Sequence, residues 1–159
     1  MLAFLTACQP RQASEGESSV LVSSKSPAGN PSQEVEDSEE EMGEMKMKVE
    51  VAGTVFTATL EDNKAVQALV ALMEEAPVTI AMDDYAGFEK VGSLGTNLPA
   101  SDRQTTTNPG DIVLYQGNKI VMFDGHNSWS YTRLGKIDDL TGWEKALGSG
   151  SVTVTFSIE

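Results

Sequence analysis

The chain has 159 residues, 40% of them hydrophobic, which is the size of one ordinary domain with enough apolar side chains for a core. Its formal net charge is −13, and residues 1–45 hold nine acids against two bases. Residues 46–159 hold 15 acids and nine bases, with no basic stripe for phosphates. Nucleic-acid affinity depends on Lys and Arg side chains that neutralise phosphates and release the counterions bound to them. The composition therefore argues against a nucleic-acid partner.

The start of the chain contains its single cysteine, Cys8, so an intrachain disulfide is excluded. Residues 5–8, Leu-Thr-Ala-Cys, resemble the lipobox of bacterial lipoproteins. This resemblance implies that residues 1–8 are the C-terminal part of a lipoprotein signal, that Cys8 is lipidated, and that the protein is anchored in the bacterial cell envelope outside the cytoplasm. A complete signal has a basic region and an apolar run of about 7 to 15 residues, of which residues 1–7 supply only the end. The alternative is an ordinary cysteine in a disordered tail.

Residues 9–44 are predicted to be a disordered acidic linker. They are rich in Ser and Glu and lack a periodic apolar pattern, so they cannot bury enough surface to offset chain entropy. We interpret the acidic run at 34–41 as a solvated spacer, with a docking tail or a cation-attracting patch as the alternative. The ordered domain is therefore expected to span residues 45–159.

The first part of that domain reads as two strands and a helix. Residues 45–51 alternate apolar and polar side chains with the two-residue period of a half-buried strand, and the β-branched segment 55–60 follows a turn at Ala52-Gly53. Asn63 is a plausible N-cap for a helix that Pro77 stops. The apolar face of this helix holds Val66, Leu69, Val70 and Met73.

The second part is predicted to hold further strands around a long loop. Residues 78–82 form the third strand, and residues 83–109 read as a loop that is either functional or contains short strands without a readable pattern. A hairpin is predicted from 111–115 and 119–123, followed by a loop at 124–128 and a strand at 129–134. A short helix at 138–147 and a closing strand at 151–158 complete the chain. This order predicts a mainly β fold, a closed antiparallel barrel with about two short helices.

Three segments carry a resemblance to a known family. They are DYAGF at residues 84–88, GSLGTNLP at 92–99 and NPGDIVLYQGNKIVMFDGHNSWSYTRLGKI at 108–137. Together they resemble the small bacterial cyclophilin-like domains over residues 46–159. The resemblance implies a closed antiparallel β-barrel with short helices.

Asp124, His126 and Ser128 supply the residue types of a hydrolase triad within one turn. A triad needs fixed geometry between members that normally come from separate elements, so the loop interpretation is favoured. His126 is the only histidine and has no Cys or His cluster beside it, which argues against zinc. Asp83 and Asp84 are adjacent and lack the further spaced ligands that calcium needs. No phosphate-binding glycine loop is present, and no cofactor is predicted.

A shallow binding surface is the stronger candidate. Aromatic rings give large contact area at low entropy cost, and arginine adds a directional set of donors. The predicted ligand-binding residues are Tyr85, Phe88, Arg103, His126, Asn127, Trp129, Tyr131 and Arg133. In the alternative, Trp129 and Tyr131 both face the core and Arg103 only ties down the long loop.

Prolyl isomerases of the cyclophilin type resemble one another in an arginine within Phe-His-Arg and in a Gln-Phe-Phe strand, and neither motif occurs here. Isomerisation needs an apolar cup and a donor to the prolyl nitrogen, for which Arg103 is the only candidate by location. The leading hypothesis is a lipid-anchored extracytoplasmic module that binds a small molecule or an extended peptide without a cofactor. The alternatives are a peptidyl-prolyl isomerase of envelope proteins and a structural or assembly protein at the cell surface.

Overall fold

The computed structural model describes residues 44–159, which hold nine strands and two helices. The predicted signal remnant, the lipidation site Cys8 and the linker up to residue 43 lie outside the described residues. Neither of the two helices in 44–159 is long and apolar enough to cross a membrane.

The elements follow one another with short connections. In chain order they are β1 Lys46–Val51, β2 Thr54–Leu60, α1 Lys64–Glu75, β3 Val78–Tyr85, β4 Glu89–Ser93, β5 Arg103–Thr107, β6 Asp111–Tyr115, β7 Lys119–Phe123, β8 Asn127–Ile137, α2 Trp143–Leu147 and β9 Val152–Ile158.

The first hairpin and helix form as their sequences predict. Ala52 and Gly53 both have positive φ, 50° and 86°. This is the backbone conformation of tight hairpin turns, whose twist matches that of the flanking strands. Asn63 caps α1, since its side-chain oxygen accepts the backbone N–H of Val66 at 2.9 Å. The buried face of α1 packs on the core through Ala65, Val66, Leu69 and Met73.

All strand pairs are antiparallel, in the order β2-β1-β9-β3-β4-β7-β6-β8-β5. An additional pairing between β2 and β8 joins eight of these strands into a ring, and β5 is attached to the N-terminal part of β8. The prediction of a mainly β antiparallel fold with two helices is confirmed.

Two apolar clusters lie on opposite faces of β6 and β7, because side chains alternate between the faces of a strand. The larger cluster receives Ile112, Leu114, Ile120 and Met122 and is covered by α1 and α2. The smaller cluster on the other face is formed by Val113, Val121, Phe123 and Tyr131. This second cluster lies beneath the candidate site.

The segment 83–109 is more ordered than a loop. It contains the end of β3, the whole of β4 and the whole of β5. β4 has the sequence EKVGS and β5 has RQTTT, neither of which shows an apolar alternation. Their pairing partners β3, β7 and β8 hold them in the sheet, which local sequence patterns cannot reveal.

Two boundaries differ from the predictions. β8 begins at Asn127 and continues to Ile137, so the predicted loop at 124–128 is shorter and the strand longer. The predicted helix at 138–147 is wrong in its first half, where Asp139 accepts the N–H of Thr141 at 2.9 Å and forms a turn. Gly142, with a φ of 81°, then precedes α2, so helical backbone starts only at Trp143.

Candidate ligand-binding site

A pocket of about 460 Å³ opens over the smaller cluster, and its volume lies in the range of small-molecule sites. It is bounded by β4, β6, β7, the N-terminal part of β8 and the β3–β4 turn. The lining residues are Tyr85, Phe88, Glu89, Val91, Tyr115, Lys119, Val121, Asn127, Trp129 and Tyr131.

The pocket has an apolar floor. Val91 and Val121 are direct cross-strand neighbours on β4 and β7, so their side chains lie on the same face. The ring of Tyr131 packs edge-on against Tyr115 and Phe123, with centroid distances of 6.0 Å and 5.7 Å. This packing fixes the orientation of the Tyr131 ring.

Two large aromatic side chains stand at the mouth of the pocket. Tyr85 is 62% exposed and Trp129 is 57% exposed. The third ring, Phe88, packs against the backbone of Gly125, where an added Cβ would lie 2.7 Å from the Phe88 Cβ. Exposed rings next to a preformed cavity are typical of a binding surface.

One carboxylate, that of Glu89, is buried in this largely apolar pocket, with 7% of the residue exposed. The Asn127 amide donates to the Tyr131 hydroxyl at 2.9 Å and reaches Glu89 Oε2 at 3.5 Å. The orientation of this amide is set by its oxygen, which accepts the Ser128 N–H at 2.8 Å. Glu89, Asn127 and Tyr131 thus form a polar cluster at one end of the pocket.

Burial changes the proton affinity of two groups in this cluster. It raises the pKa of Glu89 above its ordinary value, and the Asn127 hydrogen bond opposes this shift. Burial, together with the charge of Glu89, raises the pKa of Tyr131 to about 12. Tyr131 therefore keeps its phenolic proton at neutral pH, and because its oxygen accepts from Asn127, that proton can be donated to a ligand.

The position of Asn127 depends on a buried threonine in β5. Thr107 Oγ1 accepts the backbone N–H of Asn127 and donates to its carbonyl, both at 3.1 Å. Thr107 is fully buried. This pair fixes the start of β8 and with it the amide that holds the polar cluster.

Comparisons with known proteins place the chain in a family. The model of the cyclophilin-like family matches residues 49–157. The chain belongs to this family. It is also similar in fold to the solution structure of the hypothetical protein AF2241 from Archaeoglobus fulgidus, with a TM-score of 0.51 and 14% identity over 74% of this chain and 96% of that chain. No curated protein matches the chain.

Five of the eight ligand-binding residues predicted from sequence line the pocket of this cyclophilin-like domain, namely Tyr85, Phe88, Asn127, Trp129 and Tyr131. Trp129 and Tyr131 lie on the same face of β8, with Tyr131 buried in the smaller cluster and Trp129 exposed at the mouth. The alternative in which both face the core is therefore wrong for Trp129.

The other three predicted residues do not line the pocket. Arg103 is exposed on β5, directly opposite Tyr131 in the register. His126 is exposed in the β7–β8 turn. Arg133 forms an ion pair with the buried Asp111 at 3.3 Å and donates to the Thr106 carbonyl at 3.1 Å, which is a structural role.

The pocket also contains residues that the sequence analysis missed, namely Glu89, Val91, Tyr115, Lys119 and Val121. Odd-numbered positions of the predicted β6–β7 hairpin share one face, which is a signal for Tyr115, Lys119 and Val121. No local signal identifies Glu89 and Val91, because they belong to β4.

The remaining polar candidates have other partners. Ser128 Oγ contacts Gln104 Nε2 at 3.1 Å and Thr106 Oγ1 at 3.2 Å, and no hydrogen bond joins Ser128 to His126. Asp84 forms an ion pair with Lys90 at 2.7 Å. Within residues 44–159 no group of three or more His, Cys, Asp or Glu side chains is placed to hold a metal ion.

Proposed function

We propose that this cyclophilin-like domain is a binding module for a small molecule or an extended peptide, and that the pocket between Glu89 and Trp129 is its binding site. The observation that carries the proposal is a preformed pocket of about 460 Å³ with an apolar floor and a few convergent polar groups. The exposed rings of Tyr85 and Trp129 at its mouth offer contact area that the core does not use.

The sheet edge beside the pocket supports the peptide form of the proposal. Among the described strands, β5 pairs on one side only, with β8. Arg103, Thr105 and Thr107 of β5 are the register partners of Tyr131, Trp129 and Asn127, so they share the face of the pocket. An extended peptide added to this edge would place alternate side chains toward the pocket.

Prolyl isomerisation has less support than binding. The apolar floor at Val91 and Val121 provides a cup for a proline ring, but no arginine is among the hydrogen-bond donors that line the pocket. Arg103, the candidate catalytic residue, lies outside the lining. Prolyl isomerisation is therefore the alternative that the binding test below distinguishes from simple binding.

The binding test uses the intrinsic fluorescence of the full-length chain. Trp129 reports on the pocket mouth, whereas Trp143 is buried in the larger cluster and acts as an internal reference. We expect a ligand from a library of small molecules and proline-containing peptides to change the Trp129 emission. The variant Val91→Phe fills the pocket floor and should weaken that binding by about tenfold or more, since added side-chain volume leaves no room for the ligand.

The matched control is Val55→Phe, because Val55 is 54% exposed and lies outside the pocket lining. It should bind as the wild type does. A response that survives in Val91→Phe would contradict the proposed site. Exchange spectroscopy across the prolyl bond of a bound peptide distinguishes the alternatives, because faster exchange that is lost in Arg103→Ala would favour an isomerase.

We propose that the protein is a bacterial lipoprotein of the cell envelope, anchored through Cys8 and facing outside the cytoplasm. The support is the lipobox-like sequence at residues 5–8 and the acidic polar segment that follows it. Lipid chains contribute about 0.8 kcal/mol per buried CH₂, so several chains hold a protein firmly on a membrane.

The anchor is tested with Cys8→Ala in a cell that expresses the full-length gene. We expect the wild-type protein to incorporate labelled fatty acid and sediment with membranes, and the variant to do neither. Ser32→Ala in the same segment is a control that should behave as the wild type. Unchanged labelling and membrane association in Cys8→Ala would refute the anchor.

We also propose that the ring of eight strands is the closed barrel of the cyclophilins. The support is the β2–β8 pairing, in which Ala58, Thr59 and Leu60 lie opposite Ile137, Lys136 and Gly135. Backbone hydrogen bonds extend this seam at both ends, from Glu61 N–H to Leu134 O and from Asp138 N–H to Thr57 O, each 2.9 Å.

A further inference from the structure

Glu89 differs from the other buried charged residues of the described chain. Lys90 and Asp111 are each 1% exposed, and both have an opposite charge, Asp84 at 2.7 Å and Arg133 at 3.3 Å. Glu89 is 7% exposed and has no ion-pair partner among residues 44–159. A buried carboxylate without a cation is costly, because the protein supplies little to replace its hydration.

The hydrogen bonding of Glu89 does not make up for the missing cation. Among residues 44–159, the one hydrogen bond to its carboxylate is the 3.5 Å contact from Asn127, at the long limit for such a bond. The Asn127 amide is closer to the Tyr131 hydroxyl, at 2.9 Å. The carboxylate of Glu89 therefore keeps acceptor capacity for a ligand in the pocket.

The rest of the lining suits a cation. Five aromatic side chains line the pocket together with Glu89, namely Tyr85, Phe88, Tyr115, Trp129 and Tyr131. Aromatic ring faces carry partial negative charge and attract ammonium groups. Residues 46–159 hold 15 acids against nine bases, and this excess of negative charge attracts cations and disfavours anions.

We propose that the ligand of this pocket carries an alkylammonium group, held by the Glu89 carboxylate and the surrounding aromatic rings, with its apolar stem on Val91 and Val121. This inference rests on the proposed binding function of the same pocket. It specifies the chemical class of the ligand and assigns Glu89 as the residue that determines specificity.

Lys119 is the one cationic residue in the pocket lining, and it lies at the far end. In the β4–β7 register Glu89 is opposite Phe123 and Lys119 is opposite Ser93, which is four residues along the strand. Four residues of β-strand span about 13 Å. Lys119 is therefore too far away to repel an ammonium group bound near Glu89. Its amino group instead forms a hydrogen bond with Gln116 at 3.3 Å.

The test measures the affinity of the full-length chain for three probes of similar shape by calorimetry and Trp129 emission. Phenethylammonium is the cation, 2-phenylethanol the neutral analogue and 3-phenylpropionate the anion. We expect phenethylammonium to bind about tenfold tighter than 2-phenylethanol, as a carboxylate and several rings act together on the cation, and 3-phenylpropionate to bind most weakly.

The deciding variant is Glu89→Gln, which keeps the shape of the side chain and removes its charge. It should lower the affinity for phenethylammonium about tenfold, to that of 2-phenylethanol, and leave the affinity for 2-phenylethanol unchanged. The matched control is Glu61→Gln, which changes the net charge equally at an exposed position outside the pocket. If Glu89→Gln does not fold, as judged by circular dichroism, Glu89→Asp withdraws the carboxylate and should weaken only the cation.

The outcomes separate the two levels of the proposal. Binding of the alcohol or the anion as tightly as the cation, or unchanged cation affinity in Glu89→Gln, would overturn the ammonium inference while the pocket remains a binding site. No change in heat or emission with any probe, up to its solubility, together with no response to the library of small molecules and proline-containing peptides, would overturn the binding function itself. A fourth probe, Nα-acetyl-lysine N-methylamide, carries an ammonium group on a peptide backbone. If it binds tighter than phenethylammonium, the ammonium group of the ligand belongs to a peptide. If it binds more weakly, the ligand is a small amine.

Discussion

An alanine in place of Trp143 is expected to lower the free energy of unfolding by about 3–5 kcal/mol, the range for truncation of a buried tryptophan. Trp143 is 2% exposed, and its ring meets Phe56 edge-to-face at a centroid distance of 5.0 Å. Its indole N–H donates to the Phe123 carbonyl at 2.8 Å. The substitution leaves a cavity in the larger cluster and removes one of two donors to the Phe123 carbonyl, which keeps the Gly110 N–H at 2.9 Å.

Urea denaturation followed by circular dichroism measures this loss, because the signal does not depend on the removed indole. Trp143→Phe keeps most of the apolar volume and should cost about 1 kcal/mol through the lost hydrogen bond. Trp129→Ala is the control at an exposed tryptophan and should change stability by less than about 0.5 kcal/mol. Equal stability losses at Trp129 and Trp143 would contradict the assignment of Trp143 to the core.

Alanine at Gly135 is expected to destabilise the domain by about 3 kcal/mol, at the upper end for overpacking of a filled core. A Cβ at this position would lie 2.6 Å from the Thr59 carbonyl oxygen and 3.3 Å from the Leu60 Cα. Both contacts are with backbone, which cannot rotate away as a side chain does. The substitution should therefore separate β2 from β8 at the seam of the ring.

Hydrogen exchange shows which backbone amides lose protection in this variant. The amides of Glu61 and Asp138, which donate across the seam, should lose protection in Gly135→Ala, while amides of the β4–β7 pair keep theirs. Lys136→Ala, at the exposed neighbouring position, is the control and should keep both. Wild-type stability and full seam protection in Gly135→Ala would mean that β2 and β8 do not approach as closely as the ring requires.

The sequence predicted those elements whose pattern is local. β1 and β9 alternate apolar and polar residues because one face of each is buried, and α1 has both a periodic apolar face and the Asn63 cap. β4 and β5 escaped prediction because they contain few apolar residues and are held by strands distant in sequence. Non-local pairing of this kind leaves no periodic signal in one segment.

The candidate site was predictable to the extent that its residues are aromatic. Tyr85, Phe88 and Trp129 could be identified as ligand-binding candidates because large rings are unusual in polar, glycine-rich segments. Glu89 could not be identified in this way, since a glutamate is normally solvated. Only the pairing of β4 with β7 brings it into the pocket. Arg103, predicted as a ligand-binding residue in a long loop, lies on β5 opposite Tyr131 and outside the lining.

The most direct test of the central claim, that this pocket is the binding site, is two-dimensional NMR of the full-length chain titrated with phenethylammonium. We expect shifts of the Trp129 indole N–H and of the backbone amides of Glu89, Val121 and Asn127, all in the lining. The indole N–H of Trp143, bonded to Phe123 in the core, should not move. Shifts confined to residues outside the pocket, or shifts of the Trp143 indole without those of Trp129, would contradict the account.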